Sequence, residues 1–181
     1  NWKQRLKMGE YVLYETHIEI DYVINDDLSL LLMTSGSTGR PEFARLSHLN
    51  IYSNTKAICH YLNIRDNDKV ITTLPMSYSY GISIINTHLF MGASLILTDS
   101  SVVEKGFWQL ITNYEVTTFG GVPYTYEILK KLNFENIDLP SLRYVTQAGG
   151  KLSLGLLDYY YRVCTEKQID FIVMYGQTEA S

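Results

Sequence analysis

The sequence predicts an α/β fold of layered βαβ units with a largely parallel sheet. Two observations predict it. From Val70 onward, short apolar runs alternate with stretches of helical periodicity, joined by short links. The glycine-rich segments fall at the carboxyl ends of the strand-like runs, which is where such folds bind ligands.

Tyr11 to Ile24 alternates loosely and is rich in Tyr, Val and Ile, which suits one or two half-buried strands. Asn25-Asp26-Asp27 is a turn. Leu28 to Met33 is a near-continuous apolar run, expected as a strand buried on both faces. Ile51, Thr55, Ile58 and Leu62 share a helical face, with Ser47 placed as N-cap and His48 opening the helix. Val70 to Leu74 reads as a strand, and Ile82, Ile85 and Leu89 mark a helix. Ser94 to Leu97 is a short buried strand. Val103, Phe107, Leu110, Ile111 and Tyr114 form the next helical stripe.

Val116 to Phe119 is a strand ended by Gly120-Gly121. Pro123 suits the first turn of a helix, where its missing N–H costs nothing, and Ile128, Leu129 and Leu132 give that helix an apolar face. Leu142 to Thr146 is a strand ended by Gly149-Gly150. Leu154, Leu157, Tyr161 and Cys164 mark a further helix, and Ile169 to Met174 the last strand.

Composition narrows the partners. A formal charge of −4 gives no basic stripe for nucleic acid. No run of ~18 apolar residues suits a membrane span. Cys59 and Cys164 form no CxxC pair and read as small core residues in a reducing compartment, so the expected location is cytoplasmic. His17, His60 and His88 have no partners at metal-ligand or triad spacing, and each is expected to be structural or exposed. The start at Asn1 lacks Met, and Ser181 directly follows a strand end. The chain is therefore expected to be a piece of a longer protein.

The segment Met33-Thr34-Ser35-Gly36-Ser37-Thr38-Gly39-Arg40-Pro41-Glu42 follows a strand. Gly36 and Gly39 permit backbone conformations that side chains block. Such a turn can aim successive N–H groups inward as an anion nest, and its hydroxyls add donors suited to a polyphosphate. It is not a Walker A loop, because Arg40-Pro41 follows Gly39 where Lys-Ser/Thr is needed. An ordinary flexible Ser/Gly loop is the alternative reading of these residues.

Thr34-Ser35-Gly36-Ser37-Thr38-Gly39-Arg40-Pro41, followed by Leu46-Ser47-His48, closely resembles the signature of the adenylate-forming, or AMP-binding, synthetase superfamily. Leu74-Pro75-Met76-Ser77-Tyr78-Ser79-Tyr80-Gly81 resembles its second core motif. Tyr175-Gly176-Gln177-Thr178-Glu179 resembles its Tyr-Gly-x-Thr-Glu motif. Gly121-Val122-Pro123 and Ala148-Gly149-Gly150-Lys151-Leu152 also look like family segments, in the family's order. The resemblance spans about Leu28 to Ser181. It implies a partial large domain of an adenylate-forming enzyme over 1–181, with the upstream part and the C-terminal lid domain absent.

Members of that family activate a carboxylate with Mg-ATP to an acyl-adenylate and pyrophosphate, and many pass the acyl group to coenzyme A. By resemblance, Thr34, Ser35, Gly36, Ser37, Thr38 and Gly39 hold the β- and γ-phosphates. Thr178 hydrogen-bonds the α-phosphate, and Glu179 binds Mg²⁺ as a hard oxygen ligand. Tyr175, followed by Gly176, lies against adenine. Gly149 and Gly150 let the backbone approach the same base. Tyr78 stands where the family often carries an aromatic residue or histidine beside the acyl pocket. Expected ligands are ATP, Mg²⁺, a small-molecule carboxylate and, as co-substrate, coenzyme A.

Two residues depart from the pattern: Glu42 stands where the family usually has lysine, and Phe43 where it has glycine. The family's ribose-binding aspartate, hinge and catalytic lysine lie downstream of its last motif here, so the isolated chain is not expected to turn over. The segments at Tyr78-Ser79-Tyr80 and Gly121-Val122-Pro123-Tyr124 look more like acyl-CoA synthetases than amino-acid-activating domains. The strand at 116–119 also lacks the aspartate common in the latter. The alternative is a non-catalytic nucleotide-binding or structural module that retains the fold.

Overall fold

The computed structural model describes residues 2–9, 11–16, 23–34 and 42–180. A five-stranded, fully parallel sheet forms the centre, in the order Ser94–Leu97, Lys69–Thr72, Thr118–Gly121, Tyr144–Gln147, Asp170–Val173. Its strands are β5 (Lys69–Thr72), β6 (Ser94–Leu97), β7 (Thr118–Gly121), β8 (Tyr144–Gln147) and β9 (Asp170–Val173). The helices are α1 (His48–Leu62), α2 (Ser79–Phe90), α3 (Lys105–Asn113), α4 (Pro123–Lys131) and α5 (Leu154–Glu166). Two antiparallel hairpins precede the sheet: β1 (Trp2–Met8) with β2 (Tyr11–Thr16), and β3 (Leu28–Thr34) with β4 (Glu42–Ser47).

Side-chain alternation divides the sheet into two apolar layers. Ile71, Phe119 and Val145 point to one face, against Phe107 and Ile111 of α3, Tyr126 and Leu129 of α4, and Tyr160 and Val163 of α5. On the other face, Tyr144 meets Ile58 and Leu62 of α1, while Val70 and Ala148 meet Tyr80 and Ile84 of α2. Full burial of an aromatic ring such as Phe119 contributes about 3 kcal/mol relative to exposure. Ser47 caps α1 as expected: its Oγ accepts from Asn50 N at 3.1 Å, and the Asn50 side chain answers in a capping box.

Several expectations need correction. The run Leu28 to Met33 is not buried on both faces: Leu32 is buried, but Leu31 and Met33 are 49% and 62% exposed. It forms one side of an antiparallel hairpin outside the parallel sheet, and an apolar run alone does not distinguish these settings. Of the stretch Tyr11 to Ile24, β2 is a strand, whereas Val23 and Ile24 are exposed coil. The strand β1 carried no recognised signal.

Gly120 and Gly121 do end β7, but as its last paired residues, opposite Thr146 and Gln147, and the strand starts at Thr118 rather than Val116. α2 turns Tyr80, Ile84, Thr87 and His88 inward and leaves Leu89 exposed. Isoleucines lie on several sides of this helix, so the polar groups with partners decide the face. The Tyr80 hydroxyl bonds Thr146, and the two ring nitrogens of His88 lie 2.8 Å from Ile84 O and 3.3 Å from Tyr144 Oη. α5 likewise buries Tyr160 and Val163 while Leu154 and Tyr161 face solvent. Three consecutive tyrosines blur its period. Val103 and Tyr114 flank α3 on the exposed side, and Leu132 lies partly exposed just past α4.

Candidate functional site

The site forms where the carboxyl ends of β8 and β9 meet the amino end of α2. A cleft of about 360 Å³ opens there, lined by Tyr61, Tyr78, Gly149, Met174, Tyr175 and Gly176, among others. β8 delivers Ala148 and Gly149, β9 delivers Met174 and Tyr175, and the loop before α2 delivers Tyr78.

Local chemistry fixes each wall. Gly149 has φ +82°, and a side chain there would strike the Tyr78 hydroxyl. Tyr78 stands edge-on to Tyr80, with ring centroids 6.4 Å apart. The Tyr80 hydroxyl donates to Thr146 O at 2.8 Å and lies 2.7 Å from Thr146 Oγ1, tying the start of α2 to β8. Burial pushes that hydroxyl's pKa well up, against the opposing bond to Thr146, so it stays neutral. A Cβ on Gly81 would collide with the Pro75 carbonyl, so glycine allows the chain to double back before α2.

Tyr175 is 88% exposed, and Gln177 Nε2 donates to its hydroxyl at 2.6 Å. The next three residues, Thr178–Ala180, form a short 3-10 turn that lies against β3 and β4. Thr178 is half-buried there and Glu179 is exposed. Thr34 and Glu42 form the last register pair of the hairpin, and Thr34 Oγ1 lies 3.4 Å from Glu42 O as a donor.

The structure therefore brings Tyr78, Gly149, Tyr175 and Gly176 to one cleft, and sets the turn carrying Thr178 and Glu179 against the hairpin carrying Thr34. Ser35, Gly36, Ser37, Thr38 and Gly39 lie outside the described residues, as does His17. Gly150 sits beside the cleft, where a Cβ would come 3.1 Å from Pro123. Sequence reasoning missed Tyr61, three positions after the buried Ile58 on α1, and Met174 at the end of β9. It also missed Gln147, which is fully buried beneath the Gly149 turn. A glutamine directly after the strand run Leu142 to Thr146 was the available clue.

Among the described residues, no three His, Cys, Asp or Glu side chains gather as a metal cage. Glu179 beside the hairpin instead fits magnesium held by one or two carboxylates together with substrate phosphates. The cysteines are buried, and burial pushes the Cys164 thiol up to about 12. No helix among the described residues is long and apolar enough to cross a membrane.

A family model described as AMP-binding enzyme matches residues 6–181. An acyl-CoA synthetase of Alternaria alternata is 30% identical over 88% of this chain and 27% of its own length. The medium-chain fatty-acid–CoA ligase of Escherichia coli is 27% identical over 86% of the chain and 27% of its length. Among solved structures, o-succinylbenzoate coenzyme A synthetase of Bacillus subtilis, in complex with ATP and magnesium ion, superposes with a TM-score of 0.72. It is 27% identical over 92% of this chain and 34% of the other. The N-terminal domain of FACL13 from Mycobacterium tuberculosis shares the fold, with a TM-score of 0.74 at 22% identity over 91% of this chain and 40% of that one. The chain thus spans less than a third of the length of the curated relatives it matches.

Proposed function

The chain belongs to the AMP-binding enzyme family, and we propose that it forms part of the large domain of an acid–thiol ligase. In this reading the full protein activates a carboxylic acid with ATP and then passes the acyl group to coenzyme A. A carboxylate oxygen attacks the α-phosphorus, the bond to the bridging oxygen breaks, and pyrophosphate leaves. In the second half, a thiolate sulfur attacks the acyl carbon and AMP departs.

The carrying observation is that Tyr78, Gly149, Tyr175 and Gly176 line one cleft, beside a turn that packs on the Thr34–Glu42 hairpin. Tyr175 offers an exposed ring for adenine to stack on, and Gly149 offers backbone without a side chain. Thr178 donates to the α-phosphate. Thr34, with Ser35, Gly36, Ser37, Thr38 and Gly39, holds the outer phosphates, and Gly150 supports the adenine wall. Tyr78 borders the acyl group. Glu179 would hold magnesium, which would supply charge neutralisation at the phosphates.

The remainder of the protein supplies the upstream part of the domain and the lid, and its place is the cytoplasm. On this reading the isolated 181 residues are not expected to turn over. Glu42 favours a second reading, a nucleotide-binding module without catalysis, because its exposed carboxylate sits at the base of the phosphate loop. Pyrophosphate exchange by the full-length protein across a panel of carboxylic acids separates the two. Carboxylate-dependent exchange supports the ligase, and its absence with every acid sinks it.

A further inference from the structure

We propose that Gln147 is a positioning residue for the nucleotide, acting through the Gly149 turn; the proposal rests on the ligase reading above. Gln147 ends β8 and is fully buried. By strand alternation it shares the sheet face of Val145, away from the cleft and below the turn. Its Nε2 donates to two carbonyls, Ala148 O at 3.1 Å and Gly150 O at 2.9 Å. These are the two residues that flank Gly149.

One side-chain amide therefore holds both flanks of the turn down. Gly149 is left in its left-handed conformation, exposed at the cleft surface, with the Tyr78 hydroxyl occupying the space a side chain would take. The backbone of β8 is itself fixed from the neighbouring strands: Ala148 N donates to Gly121 O at 3.2 Å, and Met174 N donates to Gln147 O at 2.7 Å. The turn beyond it depends on the glutamine.

The other half of the same amide is a cost. Gln147 Oε1 is buried and accepts no hydrogen bond among the described residues. A buried acceptor without a donor is destabilising, so stability alone favours an apolar residue of similar size here. The glutamine is explained by what its donors hold. This separates a positioning role from a merely structural one. Methionine has similar length, removes the orphaned oxygen together with the two donors, and leaves the layer filled.

The test uses the full-length protein, ATP and whichever carboxylate supports pyrophosphate exchange. Gln147→Met is expected to raise KM for ATP about tenfold, with kcat and KM for the carboxylate close to wild type, the pattern of lost ground-state binding. Its thermal midpoint should stay within a few degrees of wild type. Gln147→Asn keeps the donors but withdraws them by about 1.5 Å, one carbon–carbon bond, and should fall between the two. An unchanged KM for ATP overturns the proposal, as does a fall in kcat and thermal midpoint with both KM values unmoved. If Gln147→Met does not accumulate, the same criteria apply to Gln147→Asn. Absence of exchange in the wild-type protein is a different failure, because it removes the ligase reading before any variant is compared.

Discussion

The two ends of the parallel sheet are built on opposite principles. At the amino end, Asp68 is 1% exposed and every approach to its carboxylate is taken. Arg143 Nε and Nη2 donate to it at 3.0 and 2.6 Å, Arg65 N at 2.8 Å and Thr117 Oγ1 at 2.8 Å. Arg143 also reaches Asn63 O past the end of α1. Burial works to raise the Asp68 pKa, but these bonds outweigh it and hold the carboxyl below its usual range.

At the carboxyl end the polar groups are open instead. Tyr175 and Glu179 are exposed, Gly149 is left-handed, and Gln147 Oε1, though buried, accepts no hydrogen bond among the described residues. One sheet thus keeps its satisfied polar network at one end and the proposed binding turn at the other. The satisfied end fixes β5, β7 and β8 relative to one another, and the open end uses that rigidity to present a turn.

The largest effect that sharpens this contrast is Arg143→Ala. It strands a buried carboxylate, and about 3–5 kcal/mol of stability should be lost in urea unfolding. A loss below about 1 kcal/mol would place this pair with ordinary surface ion pairs and break the comparison. Glu179→Gln should do the reverse. Pyrophosphate exchange in the full-length protein should fall about a hundredfold, near 2.7 kcal/mol, with the thermal midpoint unmoved.

Glu42→Lys comes next. Replacing repulsion with attraction at the base of the loop should tighten ATP binding by about 1 kcal/mol, roughly fivefold, by calorimetry. Unchanged or weaker affinity would mean that Glu42 points away from the phosphates.

The smallest effect is in pH. Burial, partly opposed by the Ile84 carbonyl, lowers the His88 pKa from its usual 6.5. The unfolded chain therefore binds a proton first as pH falls. The stability linked to a neutral His88 is complete above pH 6.5 and is lost as pH drops through the lowered folded value. His88→Gln should flatten that slope. Asp68, also with a depressed pKa, should still lose stability below about pH 3.8, as it is protonated. A slope unchanged by His88→Gln would assign the acid sensitivity to another group.

Much of this arrangement was legible in the sequence. Apolar periodicity marked all five strands of the main sheet and all five helices, and the Ser47 cap followed from residue type and position. The motif residues Tyr78, Gly149 and Tyr175 were legible as candidates. That they meet in one cleft depends on pairing between strands distant in sequence. Ile82, Ile85 and Leu89 marked α2 as a helix without fixing its face, because its isoleucines point several ways; Thr146, 66 residues away, and the Val70–Ala148 layer select Tyr80 for the interior. The hairpin at Leu28 was misread because an apolar run looks the same in a core strand and in an exposed one.

The alternation of strand and helix, the glycine at the left-handed turn and the family signature are readable along the chain, since these depend on the residue and its near neighbours. The tertiary structure alone decided which helix faces turn inward. It also decided that the Thr178–Ala180 turn lies on the Thr34 hairpin, and that a buried glutamine holds the Gly149 turn from below. Those outcomes rest on the direction of a side chain and on contacts between segments far apart in the chain, which local pattern does not encode.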